Sequence, residues 1–236
     1  MTVTMITGGT RGIGREVARQ LAEVHGHRVL LGARDLRRGR AVAAGMRGRV
    51  EAVELDVTNP ATIDALAARL DGLDVLVNNA GVQLDGEVPS TEPDWAAIGG
   101  TLEVNLLGPW RVTAAVVPLL RRSPHPRIVN VSSSSGLTRL VNESGDASYC
   151  VSKAGLNMLT KIWSVELPGV LVNAACPGWV QTDMGGPDAP RTLAEGVQGI
   201  LWLATLPDDG PTGRFYRFGT QAMRHATAMA EAEVPY

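Results

Sequence analysis

Tyr149 and Lys153 stand four residues apart within Ala147–Glu166, a segment read as a long helix. At that spacing both side chains share one helix face, a turn apart. A phenol can give a proton to an oxygen, but its ordinary pKa of about 10 is too high for ready exchange at neutral pH. An ammonium about 4 Å away, at an effective dielectric of about 20, favours the phenolate by roughly 4 kcal/mol. That would lower the pKa by up to about 3, with desolvation working the other way. Four serines, Ser132 to Ser135, follow a strand-like run at Pro126–Val131. One could hold the oxygen being protonated, or all four could form a serine-rich turn. Asn105 lies between Val104 and Leu106 in an apolar helical stretch. A buried amide there must be satisfied, and taken alone it reads as a capping or backbone contact. Each feature is weak by itself, since a tyrosine–lysine pair on a helix is usually surface decoration.

A second set of residues fits a phosphate-bearing ligand. Thr7-Gly8-Gly9-Thr10-Arg11-Gly12-Ile13-Gly14 follows a β-branched run and opens a helical one. Glycines there permit a tight turn and a close backbone approach to a pyrophosphate, and the helix N-terminus adds positive potential. The spacing is Gly-x3-Gly-x-Gly, so an ordinary glycine turn or another nucleotide-like ligand stays open. At the end of the second strand Ala33 replaces the carboxylate that would accept bonds from ribose hydroxyls, and Arg34 follows. With Arg11 this suits a 2′-phosphate, hence NADPH over NADH. Two charge-assisted bonds of roughly 1.5–3 kcal/mol each would give a preference on the order of 100-fold or more. Alternatively, Arg34 merely solvates the surface beside Asp35. Asp56, before Val57, fits either an adenine contact or a local turn. Asn78-Asn79-Ala80-Gly81 ends the fourth strand with small residues that let backbone meet ligand, and its amides can tie loop ends together.

Alternating strands and helices position these groups. Strand-like runs at Thr2–Ile6, Arg28–Ala33, Val50–Leu55, Leu73–Val77, Pro126–Val131, Val170–Ala175 and Gly213–Phe218 alternate with helical ones. The helical runs are Ile13–Val24, Asp35 to about Met46, a segment from Asn59-Pro60, Leu102–Leu120 interrupted around Gly108-Pro109, Ala147–Glu166 and Leu193–Leu206. This predicts an α/β fold: one doubly wound parallel sheet of about seven strands with helices on both faces. A single domain spans residues 1–236, with a tail at 219–236 of unassigned role. The 236 residues are 44% hydrophobic and 19% charged, with net charge -2 and pI near 6.1. Nothing in that balance favours nucleic acid or an anionic membrane. Cys150 and Cys176 lack metal-type spacing and the four histidines do not join them, so neither metal nor disulfide is expected. With no apolar run of about 20 residues and no leader-like start, the expected location is the cytoplasm.

Taken together, Thr7-Gly8-x3-Gly12-x-Gly14, Asn78-Asn79-Ala80-Gly81, Ser133, Tyr149-x3-Lys153 and Pro177-Gly178 resemble the classical short-chain dehydrogenases/reductases. The resemblance runs from Val3 to about Phe218. The stretch Cys176-Pro177-Gly178-Trp179-Val180-x-Thr182-Asp183-Met184 is similar to the NADPH-dependent carbonyl reductase branch. The resemblance implies a Rossmann-type fold and catalysis by Asn105, Ser133, Tyr149 and Lys153. Ser133 is selected by the family pattern Asn-Val-Ser-Ser, and Asn105 becomes the holder of a water in a proton relay. Also implied are cofactor contacts from Gly8, Thr10, Arg11, Gly12, Ile13, Gly14, Arg34, Asp56, Val57, Asn79, Ala80, Gly81, Tyr149, Lys153, Pro177, Gly178, Val180 and Thr182.

The expected reaction is NADPH-dependent reduction of a ketone or aldehyde. The expected substrate is apolar, entering between 136–147 and a lid at 178–193 that holds Trp179 and Met184. Leu137, Leu140 and Val141 would add apolar surface, and Arg139 and Glu143 read better as solvated than as anchors. The gap between Ser133 and Tyr149 is too short for the long insertion of some reductases in that branch. Cys150 is read as packed core. Competing readings are an NADP-dependent alcohol dehydrogenase running in reverse, a non-catalytic NADP(H) sensor that binds a protein partner, and an adenosyl-cofactor methyltransferase, which leaves Arg34 and the Tyr149–Lys153 pair unexplained. In the resembling family, helices at 102–120 and 148–166 often meet a second subunit, so a homodimer or homotetramer is expected.

Overall fold

The computed structural model describes residues 1–86, 88–138 and 146–217. Seven strands, β1 (Val3–Ile6), β2 (Arg28–Ala33), β3 (Arg49–Glu54), β4 (Val75–Asn78), β5 (Arg127–Val131), β6 (Leu171–Cys176) and β7 (Arg214–Arg217), form one sheet. Their order is β3-β2-β1-β4-β5-β6-β7, and every pairing is parallel. The chain leaves β1 toward β2 and β3, then returns to build outward from β4. The C-terminal ends of β1 and β4 therefore border a crevice, where open parallel sheets bind ligands.

The helices are α1 (Gly12–Glu23), α2 (Leu36–Ala44), α3 (Pro60–Arg69), α4 (Trp95–Leu102), α5 (Gly108–Leu120), α6 (Ala147–Glu166), α7 (Leu193–Gly196) and α8 (Gln198–Ala204). Successive strand residues point to opposite faces, and the buried residues divide accordingly. Ile6, Leu31, Val77 and Val129 pack with Val17 and Leu21 of α1 and Ile200 of α8. Met5, Leu30, Leu76 and Ile128 pack with Ile63 of α3, Val112 and Val116 of α5, and Leu159 and Trp163 of α6. Both layers are buried, so the central strands are buried along nearly their whole length, whereas the edge strands β3 and β7 also carry exposed charged residues. The helix starts follow local chemistry. Asp35 accepts from the N–H groups of Arg37 and Arg38, and Asn59 accepts from Ala61 N with Pro60 in the first turn.

The structure corrects the helical boundaries in two places. The run expected from Leu102 begins at Trp95 as α4, capped by Asp94. Its glycines obscure it in the sequence, yet Gly100 is where Leu84 packs, since a Cβ there would lie 2.9 Å from Leu84 Cδ1. Between α4 and α5 lies a π-helical turn, Glu103–Leu107, closed by Gly108 N–H to Glu103 O. This turn is the interruption expected around Gly108-Pro109. The segment Leu193–Leu206, read as one helix, is two short ones joined at Val197. Gly196 there lies against Val180, whose Cγ2 would be 2.5 Å from a Cβ. The last strand falls within its expected range, and Phe218 lies outside the described residues, as do 219–236. No described helix is long and apolar enough to cross a membrane. Among the described residues no His, Cys, Asp or Glu group could hold a metal.

Candidate active site

The glycine loop and the end of β4 are tied together at the mouth of the crevice. Thr7 Oγ1 accepts from Asn79 N and Ala80 N, each at 2.9 Å. Asn79 Nδ2 donates to Thr7 O at 2.9 Å and Gly8 O at 3.1 Å. A Cβ on Gly14 would lie 2.4 Å from Asn79 Nδ2 and 2.5 Å from Gly8 O, so only glycine fits there. Asn78 turns inward instead, donating to Thr113 Oγ1 and Asn130 Oδ1. Helix α1 has no side-chain cap, because its N-cap residue is Arg11. In contrast, α2, α3, α4 and α7 are capped by Asp35, Asn59, Asp94 and Thr192. The first-turn N–H groups of α1 have no side-chain acceptor at the N-cap and, with the glycine loop, suit a pyrophosphate.

The remaining cofactor candidates lie around this loop in different states. Thr10 and Ile13 are half-buried, and Gly12 stands opposite Thr182, with Cγ2 3.4 Å from a Cβ position. Arg34 is exposed at the end of β2 beside the buried Ala33. The neighbouring Asp35 caps α2 through one oxygen, its Oδ1 accepting from Arg37 N and Arg38 N. Arg11 bonds Asp183 at 2.8 Å across the mouth, both side chains being largely exposed. Asp56 acts as a turn former: its Oδ1 accepts from Thr58 N and Thr58 Oγ1. Val57 is buried, packed where a Cβ on Gly108 would be 2.8 Å away.

Beside the β4 end, Gly81 connects the two halves of the site. Its Cβ position lies 3.5 Å from Asn105 Oδ1 and 3.7 Å from Lys153 Nζ. Lys153 is 4% exposed. Its ammonium donates to Val131 O at 2.9 Å and stands 5.5 Å from the centroid of the Tyr149 ring. Ser133 caps the short 3-10 turn Ser134–Gly136, its Oγ accepting from Ser135 N and donating to Ser135 Oγ at 3.1 Å, and it lies near enough to the Tyr149 phenol to lower its pKa. Ser132 is occupied elsewhere, donating to Asn157 Oδ1 at 2.6 Å, and Ser134 N bonds Cys176 Sγ. Gly136 lies directly on the backbone of α6, where a Cβ would come within 2.6 Å of Lys153 C and Ala154 N.

The electrostatics differ from the sequence expectation. Burial pushes Tyr149 up to about 12, reinforced by Cys176 and partly offset by the nearby Ser133 hydroxyl. Burial also brings Lys153 down to about 8. Desolvation thus dominates at both groups, because both lie among packed atoms. Tyr149 as a whole residue is only half-buried, and water reaching its ring moderates the rise.

Asn105 is fully buried in the π-helical turn. Its amide makes a reciprocal pair with Val82, accepting from Val82 N at 2.8 Å and donating to Val82 O at 2.7 Å. It also donates to Ser152 Oγ at 3.1 Å, and Ser152 Oγ donates to Tyr149 O at 2.7 Å. The backbone contact read from the residue alone is therefore present. Pro109 has no N–H to offer the Asn105 carbonyl four residues back, which π-type helical turns at functional sites commonly exploit.

The rim contains the other expected residues. Trp179 and Met184 are 58% and 51% exposed. The segment 177–192 is bound to itself: Arg191 Nη1 donates to Pro177 O, Gln181 N to Arg191 O, Trp179 Nε1 to Gly185 O, and Thr182 Oγ1 accepts from Gly185 N. A Cβ on Gly178 would meet the Arg191 guanidinium, and Val180 is core. Leu137 is 4% exposed and packs with Ala174, Cys176 and Phe215, so it does not line the entrance. Cys150 is half-buried, less enclosed than expected. Arg139, Leu140, Val141 and Glu143 lie outside the described residues. Sequence reasoning missed Thr7 as a tie, Ser152, and the loop Val82–Gly86. Each acts through contacts 23 to 72 residues away, and no local pattern marks them.

Comparison with known proteins follows this geometry. The short chain dehydrogenase family matches residues 2–192. Carbonyl reductase [NADPH] 1 of Sus scrofa is 32% identical over 269 aligned positions, covering 90% of this chain and 91% of that protein. That alignment is longer than the chain's 236 residues, so the relative carries inserted residues that this chain lacks. (-)-Isopiperitenone reductase of Mentha piperita is 33% identical, covering 90% and 95%. The solved structure of salutaridine reductase from Papaver somniferum superposes with a TM-score of 0.81 at 30% identity, over 92% of this chain and 99% of that one. With the glycine loop, the β4 ties and the Tyr149–Lys153 pair in place on a seven-stranded parallel sheet, the chain belongs to the short-chain dehydrogenase family and is an oxidoreductase that resembles its carbonyl reductase branch.

Proposed function

We propose that this protein reduces the carbonyl of an apolar ketone or aldehyde to an alcohol with NADPH, with Tyr149 giving the proton. The observation that carries the reading is the buried Lys153 ammonium over the Tyr149 ring, with Ser133 at the phenol. The uncapped start of α1, the glycine loop and Arg34 would hold the dinucleotide. When bound, the nicotinamide supplies the hydride that forms the new C–H bond. Ser133 orients the substrate oxygen. Tyr149, raised to about 12, keeps its proton at neutral pH, and the alkoxide developing on the substrate oxygen is basic enough to take it. Lys153 stabilises the phenolate left behind and returns a proton to it, and Lys153 then regains a proton from solvent by way of the Asn105 end of the site.

For NADPH over NADH the support is Arg34 beside Ala33. The name of the Sus scrofa relative points the same way. Exposed Trp179 and Met184 at the rim favour an apolar substrate. A non-catalytic sensor would have no use for a buried lysine beside a tyrosine. The homodimer or homotetramer expectation is supported by an exposed apolar stripe: Leu107 and Trp110 before and in α5, and Val151, Met158, Ile162 and Val165 along α6. A second copy would cover it.

The test is oxidation of NADPH, followed at the reduced nicotinamide absorbance, against a panel of ketones, aldehydes and quinones. NADH and Tyr149→Phe serve as controls. Turnover with NADPH that weakens with NADH and vanishes in Tyr149→Phe is expected. Tight NADPH binding with every carbonyl and alcohol inert would overturn the reading in favour of a sensor.

A further inference from the structure

Helix α6 carries Tyr149 in its first turn, yet it has no cap of its own. The side chain of its N-cap residue, Asp146, makes no capping hydrogen bond. Asp146 also has φ 51, the left-handed region where non-glycine residues are strained. The missing acceptor comes from 63 residues earlier. Asp85 Oδ2 accepts from Ser148 N at 2.8 Å, and Asp146 N donates to Gly86 O at 2.9 Å. Asp85 is 7% exposed and Ser148 4%. The loop that offers these acceptors is itself anchored at Val82, whose N–H and carbonyl both bond the Asn105 amide.

We infer that Asp85 is a positioning residue for the proton donor, fixing the first turn of α6 so that the Tyr149 phenol meets the substrate oxygen. This rests on Tyr149 being the acid. A carboxylate at a helix N-terminus suits the helix dipole, and the bond it accepts lies one residue before Tyr149. Among the described residues, Asp85 Oδ1 and Ser148 Oγ are both buried without a hydrogen-bond partner. The desolvation of this carboxylate is thus only half offset by bonding. That is a poor arrangement for stability and a good one for geometry. From Ser152 onward α6 has other anchors, through Asn105 and Val131. Loss of Asp85 therefore loosens the turn that leads into Tyr149, whose carbonyl stays tied to Ser152, while leaving Lys153 and the glycine loop in place.

The experiment compares Asp85→Ala, Asp85→Asn and Tyr149→Phe by steady-state turnover, by NADPH titration and by thermal unfolding. Asp85→Ala should lower kcat about ten-fold with the NADPH Kd within about two-fold of the parent. Asp85→Asn keeps an acceptor for Ser148 N and should recover most of that loss, with no fall in Tm. If Asp85→Ala does not fold, Asp85→Glu shifts the same acceptor by one methylene, and it must lower kcat with the NADPH Kd held. Parental kcat in the alanine variant, or a loss matched by weaker NADPH binding, overturns the inference. So does an asparagine variant as slow as alanine. Turnover retained in Tyr149→Phe would instead strike the assignment of the acid, independently of Asp85.

Discussion

Replacing Lys153 by methionine keeps the length and most of the volume of the side chain and removes its charge. In the folded protein burial lowers the lysine from 10.5 to about 8, and the residue is 4% exposed. At 1.36 kcal/mol per pKa unit, burying this ammonium costs the native state about 3 kcal/mol at neutral pH. Methionine removes that cost but leaves Val131 O without its bond at 2.9 Å, a loss of roughly 1–3 kcal/mol. Lys153→Met should therefore be as stable as the parent at pH 7 or slightly more so, while losing turnover. The pH dependence is the sharper test. Between about 8 and 10.5 the unfolded chain holds a proton on Lys153 that the folded chain has released, so parental stability rises through that window. The lysine's contribution is fully present above 10.5 and lost as pH falls through about 8. Urea unfolding of both proteins without nucleotide, at pH 7, 8, 9 and 10, should show the parent gaining up to about 3 kcal/mol on the variant. Parallel stability curves across that range would refute the reasoning.

Three other perturbations test separate parts of the structure. Gly136→Ala places a methyl within 2.6 Å of the α6 backbone at Lys153; overpacking of this kind costs about 1–3 kcal/mol, so Tm should fall and kcat with it, measured side by side. Arg34→Ala should raise KM for NADPH by about ten-fold or more and leave KM for NADH unchanged, because a charge-assisted bond to a 2′-phosphate is worth roughly 1.5–3 kcal/mol. His27 is buried and bonded to Thr4 Oγ1 at 2.8 Å, and burial lowers its pKa. Its contribution is present above the unfolded value of about 6.5 and lost as pH falls through the lowered folded value. Acid unfolding should thus be less steep in His27→Gln, as followed by circular dichroism.

The fold was legible because its signals are local. Asp35 and Asn59 cap the helices they precede, and Arg28–Ala33 and Ala147–Glu166 have the boundaries the residues indicate. Helix α4 was hidden because its glycines oppose helix locally and are explained only by packing against Leu84. The same division holds at the site. Tyr149, Lys153 and the glycine loop are recognisable from spacing, whereas the choice of Ser133 among four serines comes from the family pattern and not from any local signal. The pKa balance was not legible, since it depends on how much water the fold removes from Tyr149 and Lys153. Nor were the bonds of Asn105 to Val82 or of Asp85 to Ser148, which join distant stretches of chain.

The π-helical turn at Glu103–Leu107 has a consequence for chain length. An α-helix advances about 100° per residue, and a π turn accommodates one residue more than an α turn in the same span. Deleting a single residue from Glu103–Leu107 would restore ordinary winding between α4 and α5. The flanking helices would keep their phase, so Val112 and Val116 would stay in the core. What would be lost is the local widening that sets Asn105 against Val82 and Ser152. The extra residue therefore serves the site and not the fold, although it lies in a helix that a simple substitution scan would treat as ordinary.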